Sequence, residues 1–343
     1  MRRLFTVFAL ASAIAATPLA VPAADDKVVN IYSARQEALI KPLLERFRDD
    51  TGIEFNLVTG SADALIQRLR VEGRNTPADV LITVDAGRLH RAQKAGLFQQ
   101  VASDKLAARV PAHLRHPEGT WFGLSKRARV IAYHRDRVDP ADVPRYESLT
   151  DDQWEQSICV RSSDNVYNQS LLASIIAAHS EGKALNWTRG VLTNMARQPQ
   201  GGDRDQLRAV AAGVCDLAIV NTYYYGRMQH SDNPEDREVA SQIGLVFPNQ
   251  DGRGTHINVS GAGVTRHAEH PETAARLLEY LTSDAAQQWY AEVNYEYPVV
   301  ADVAVSDAVQ GWGYPFHEDD LPLTRLGKLN AKAVRIFDRV GWR

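Results

Sequence analysis

Short apolar runs alternate with amphipathic stretches along most of the chain. Val28 to Tyr32 (VVNIY) reads as a buried strand. From Glu37 to Asp50 the apolar residues Leu39, Ile40, Leu43, Leu44 and Phe47 recur at helical spacing, and Gly52 ends the pattern. Ile53 to Val58 predicts a second strand, and Ser61 is placed to cap a helix carrying Leu65, Ile66 and Leu69 that stops near Gly73. Val80 to Val84 predicts a third strand, and Leu89 to Ala95 a third helical segment before Gly96. Strands alternating with helices predict βαβ units, a parallel sheet and an α/β fold. Ligands of such sheets bind beyond the carboxyl ends of the strands, so functional residues are to be sought there.

Farther along, Trp121 to His134 forms one long extended segment after a loop-like region containing Pro111 and Pro117. It predicts a crossing between two lobes. Ser157 to Val160 reads as a strand feeding a helix from about Ser163 to His179, and Asp216 to Val220 as a strand feeding a tyrosine-rich turn. Ile257 to Val264 predicts another strand, and Pro271 to Thr282 and Asp284 to Glu292 predict helices. There is no internal repeat. The pattern describes two α/β lobes with more than one chain crossing between them.

The N-terminus has a different character. Arg2 and Arg3 precede an apolar, Ala-rich run from Leu4 to about Ala20, and Val21-Pro22-Ala23 offers the small residues a signal peptidase needs. This predicts a signal peptide over 1–23, cleaved near Ala23, and export to a periplasm. A membrane anchor is the competing reading, but the apolar run is short for a spanning helix. Residues 2–5 also bear a faint likeness to a twin-arginine signal. The remainder is ordinary globular composition: 343 residues, 44% hydrophobic and 24% charged, which excludes disorder, collagen and coiled coil. With 39 basic residues dispersed along a chain of formal net charge −3, no basic stripe for nucleic acid exists. The two cysteines, Cys159 and Cys215, form either one disulfide or two buried thiols, and neither belongs to a CxxC or Cys/His zinc pattern.

Candidate chemistry gathers at strand ends. Asn221-Thr222-Tyr223-Tyr224-Tyr225-Gly226 follows an apolar strand directly. Tyrosines commonly just pack, half-buried. Three consecutive phenols, however, cannot all face one core, because neighbours diverge on a helix and alternate on a strand. Cys159 to Ser170 repeats the strand-to-helix arrangement and puts Tyr167 in the first helical turn. Both tyrosine sites thus fall at helix N-termini, where the dipole favours a negative group such as phenolate. Arg35 and Gln36 follow the first strand, and Arg127 and Arg129 share a face of the long extended segment. Singly, these arginines read as solvated or as inter-lobe salt bridges. Together with the tyrosines they describe a cation held by phenolates beside a small anion. No GxSxG elbow, HExxH, P-loop or dinucleotide fingerprint is present. His267 with His270, and the acidic run Glu318-Asp319-Asp320, read as solvated surface.

Six stretches carry a family resemblance: Asn30 to Gln36 (NIYSARQ), Pro77 to Asp85, Trp121 to Ile131, Cys159 to Leu171, Val220 to Met228 and Asn294 to Val299 (NYEYPV). In these the chain resembles the bacterial periplasmic ferric-iron-binding proteins, solute-binding subunits of iron ABC importers. The resemblance implies a two-lobed type II periplasmic binding fold with iron in the interlobe cleft, a monomer, no enzyme activity, and an inner-membrane permease and ATPase as partners. It implies Tyr167, Tyr223 and Tyr224 as ferric ligands, with Tyr225 packing elsewhere. Members often carry His or His-Tyr after the first strand, some with a first-lobe glutamate; here Gln36-Glu37 and Val84-Asp85 stand in those places. The sequence is thus similar to the branch using three tyrosines and a synergistic anion such as carbonate, which Arg35, Gln36 and Arg127 or Arg129 would hold. Glu37 or Asp85 is the alternative for completing the shell. The lobes are expected over 27–125 with about 257–300, and 126–256 with about 301–343.

The chemistry agrees with that resemblance. Ferric ion is hard and prefers anionic oxygen, and a phenol of ordinary pKa about 10 ionises readily beside a bound cation. Competing readings are a binder of a free anion such as phosphate or a sulfonate, a secreted enzyme, and an adaptor without ligand.

Overall fold

The structure, a computed structural model, describes residues 27–343. The predicted signal peptide over 1–23 lies outside the described residues. Eight strands build the framework: β1 Val28–Ser33, β2 Glu54–Thr59, β3 Val80–Val84, β4 Phe122–His134, β5 Ile158–Cys159, β6 Leu217–Asn221, β7 Ile243–Val246 and β8 Ile257–Val264. Their order is β2-β1-β3-β8-β4-β6-β5, with β7 also pairing with β4.

β4 joins the two halves of this arrangement. Its N-terminal part, Phe122 to Ala128, pairs with β8, whereas Arg129 to Tyr133 pairs with β6 and Ile131 to His134 with β7. The long extended segment is therefore the crossing its length predicted. The sheet is mixed, which corrects the expectation of a parallel one. β1 is parallel to β2 and β3, and β5 to β6, but β8 runs antiparallel to β3 and β4, and β4 antiparallel to β6 and β7. The cause is topological. Parallel neighbours need a crossover connection, but β4 and β8 carry the chain between the halves in opposite directions and so pair antiparallel.

The helices around the strands start where side chains cap them. Ser61 accepts from the Ala64 amide at the helix Ala62–Glu72, as the sequence predicted. The helix carrying Tyr167 begins at Val166, later than expected, because Asn165 rather than Ser163 is its cap and accepts from the Tyr167 amide at 3.1 Å. An Asp164 amide bond to the Ser162 hydroxyl keeps the preceding segment in a turn. The last long helix, Leu323–Val340, lies along both Ala86–Lys94 and Val166–Ala178. Gly327 permits that approach, since a Cβ there would meet the His90 side chain at 2.2 Å.

Cys159, at the end of β5, is joined to Cys215, just before β6, in a buried disulfide. It ties together the strands that lead to Tyr167 and to Tyr223. The native protein, denatured without reductant, is expected to show no titratable thiol. Reduction is expected to lower stability by about 2–4 kcal/mol, read as a shift in the urea midpoint.

Candidate functional site

β6 ends at Asn221 and passes without a loop into the helix Thr222–Gln229. Successive residues of a helix diverge by about 100°, and this divergence sorts the three tyrosines. Tyr225 turns inward, 3% exposed, with its ring edge-on to Trp312 at 5.7 Å. Tyr223 and Tyr224 turn the other way and line a cavity, their ring centroids 4.2 Å apart. Tyr167, in the first turn of the helix Val166–Ala178, reaches the same cavity, with 3.4 Å between its hydroxyl oxygen and that of Tyr223. Three phenols from two helix N-termini thus converge on one space.

The wall of this cavity is cationic. Arg35, Arg127 and Arg227 line it, together with Gln36, Asn294 and Glu296. Arg35 is buried and donates to Glu296 at 2.8 Å and to Ser260 and Ser125. Arg127 donates to the Val259 carbonyl at 3.0 Å and to Ser260, lies 3.4 Å from Glu296, and stands 5.9 Å from the Tyr223 ring centroid. Arg227 is half-buried and has no ion pair among the described residues. Burial holds the Arg227 guanidinium below the usual arginine range, so it would gain from an anion beside it.

Burial pushes the Tyr223 phenol well above its ordinary pKa, and the neighbouring Tyr167 and Tyr224 add to the rise, while Arg127 opposes it. Tyr224 is raised by burial, then by Tyr167 and Asp203, against a hydrogen bond with Tyr223 and the charge of Arg161. Crowded phenols beside arginines are poor anions when alone. They become good anions around a multivalent cation, which reverses the sign of each repulsion.

Residues 75–317 match the model of a protein family described as bacterial extracellular solute-binding protein. The chain belongs to that family. It is 44% identical to Iron uptake protein A1 of Synechocystis sp., covering 95% of this chain and 90% of the relative. A Trichodesmium structure in complex with iron and citrate ligands superposes with a TM-score of 0.89 at 47% identity, covering 92% of this chain and all of that one. The ferric binding protein from Campylobacter jejuni superposes with a TM-score of 0.87 at 41% identity, covering 92% of this chain and all of that one. The fold is that of the type II periplasmic binding proteins, as the resemblance implied.

Not every expected residue of this solute-binding protein reaches the cavity. Arg129 does not. Although Arg127 and Arg129 share a strand face, β4 changes partner between them, from Asn258 of β8 to Asn221 of β6. Arg129 is instead buried 5.9 Å from the Tyr167 ring centroid, bonded to Asp203 at 3.2 Å, Asn221 at 3.0 Å and Asn168 at 2.6 Å. Gln36 sits exposed at the rim, as cap of a single 3-10 turn. Glu37 is exposed and paired with Lys41 at 2.8 Å. Asp85 is buried but fully committed, accepting from the Gly87 amide at 2.7 Å, the Ser170 hydroxyl and the Asn258 amide at 2.8 Å. Neither acid lines the cavity. The acidic run is paired as well, Glu318 with Lys126 and Asp319 with Arg253.

Two charged cavity residues escaped the sequence reading. Arg227 had a usable signal, because it lies four residues after Tyr223 and so on the same face of the helix. Glu296 had none. It arrives from the far end of the chain after a left-handed turn at Tyr295, φ 57°.

Proposed function

We propose that this protein captures ferric iron in its interlobe cleft and delivers it, from the periplasm, to an inner-membrane ABC permease driven by its ATPase. The observation that carries the proposal is the convergence of Tyr167, Tyr223 and Tyr224 on one cavity opposite Arg35, Arg127 and Arg227. Among the described residues no group of three or more His, Cys, Asp or Glu could hold a metal ion, and the one carboxylate lining the cavity, Glu296, is already paired with Arg35 and Arg127, so the phenols are the donors left for the metal. Three phenolates balance the charge of a trivalent, oxygen-preferring ion. A small anion such as carbonate then completes the shell, facing Arg227 and the remaining donors of Arg35 and Arg127. The iron named for the Synechocystis and Trichodesmium relatives supports this cargo, and the basic-apolar N-terminus supports export.

Both Tyr223 and Tyr224 have raised pKa values, so iron must displace their protons. Binding therefore releases at least about two protons per ion and weakens by at least about two decades per unit fall in pH. The lobes are assigned as 27–125 with about 257–300 and 126–256 with about 301–343, so that β4 and β8 carry the hinge.

Titration of the metal-free protein with chelated Fe(III), followed in the visible range and by metal analysis, tests the proposal. A ferric phenolate band saturating at one ion per chain, bleached by acid, is expected. A colourless protein that binds an anion equally well without iron would overturn it.

A further inference from the structure

Three tyrosines and a co-ligand would suffice for ferric binding, yet the cleft also holds a buried carboxylate. Glu296 is 4% exposed and lines the same cavity. It accepts from Arg35 at 2.8 Å, from Ser125 at 2.7 Å, and from Arg127 at 3.4 Å. Burial opposes its ionisation, but Arg35 and Arg127 outweigh burial and hold Glu296 below the usual glutamate range. The site is thus built around an ionised acid that is costly to desolvate. Its three partners sit on two separated segments: Arg35 after β1, and Ser125 and Arg127 on the crossing strand β4.

We infer that Glu296 is an internal counter-anion that sets which co-ligand the cleft accepts. It takes one negative charge's worth of attraction from Arg35 and Arg127 and occupies a donor on each. The cleft is thereby tuned toward small oxyanions of low charge, such as carbonate, and against polycarboxylates such as citrate. Of the three lining arginines only Arg227 lacks an ion pair among the described residues. A co-ligand meets one free guanidinium and two that are already shared. Removing the carboxylate frees both at once, and the gain grows with the number of charges the co-ligand carries. Glu296 acts through the arginines and is a positioning residue for the anion. The inference rests on the ferric reading and names the class of co-ligand within it.

The test is competition at one fixed pH. Protein loaded with Fe(III) and isotopically labelled carbonate is titrated with citrate, and displacement is followed by retained label and by the visible band. In Glu296→Gln the citrate concentration at half displacement is expected to fall at least about tenfold relative to wild type. Glu296→Ser, which leaves room for water beside the arginines, is expected to shift the same way. Glu296→Asp, which keeps the charge, is expected to stay near wild type. An unmoved midpoint in whichever charge-free variant folds overturns the inference. So does failure of both charge-free variants to fold, which would assign Glu296 to stability alone. Absence of any band in the wild type would instead overturn the ferric reading itself.

Discussion

Tyr223→Phe and Tyr224→Phe are each expected to lose at least two decades of ferric affinity with no loss of fold. Each change removes a single oxygen. Both rings keep their contact at 4.2 Å, and the metal-free state loses little, since the Tyr223 hydroxyl contact with Tyr167 is a long 3.4 Å. Burial and mutual repulsion already disfavour these phenols as anions, so thermal stability without iron is expected to hold or rise slightly. With iron bound the balance reverses. One missing phenolate leaves about one positive charge unpaired in a partly desolvated cleft, on the scale of 3–5 kcal/mol for a broken buried pair. Tyr225→Phe is the control. Its ring packs on Trp312 away from the cavity, so its affinity is expected to match wild type. Ferric titrations against a competing chelator measure all three, and equal losses at the three positions would contradict the ligand set.

Asp203→Ala is expected to produce the largest loss of stability, about 3–5 kcal/mol. Asp203 is fully buried and serves three partners: Arg129 at 3.2 Å, the Asn221 amide at 3.0 Å and Arg161 at 3.5 Å. Its removal strands the Arg129 guanidinium, which is 2% exposed. It also frees the amide at the point where β6 turns into the tyrosine helix. Against a typical total stability of about 5–15 kcal/mol such a loss is severe. Urea unfolding of the metal-free protein checks it. A midpoint within error of wild type would show that water replaces the carboxylate at no cost. Arg227→Met, by contrast, is expected to leave the midpoint unchanged, because Arg227 has no ion pair to lose among the described residues.

The placement of Arg129 and Asp203 shows why part of the site was hidden in the sequence. Arg127 and Arg129 are equivalent by strand alternation. They become different only because β4 exchanges β8 for β6 between them. Asp85 was a reasonable candidate to complete a metal shell. Its oxygens instead accept from Ser170 and Asn258, residues 85 and 173 positions away along the chain, and it does not line the cavity.

What the sequence determined by itself is the local part. It placed β8 at Ile257–Val264 and Tyr167, Tyr223 and Tyr224 in first helical turns, and it required that the three consecutive tyrosines not all face one way; the family resemblance singled out Tyr225 as the one that packs elsewhere. Hydrophobic period, capping side chains and the 100° step of a helix are set by residues within a few positions of one another. Sheet direction, the Cys159–Cys215 pairing, the placement of Arg127 rather than Arg129 in the cavity wall, and the partners of Glu296 were decided only by the tertiary structure. Each depends on which distant strand lies alongside. An ion pair also takes its strength from the burial that packing creates, and neither can be read from a residue's neighbours in the chain.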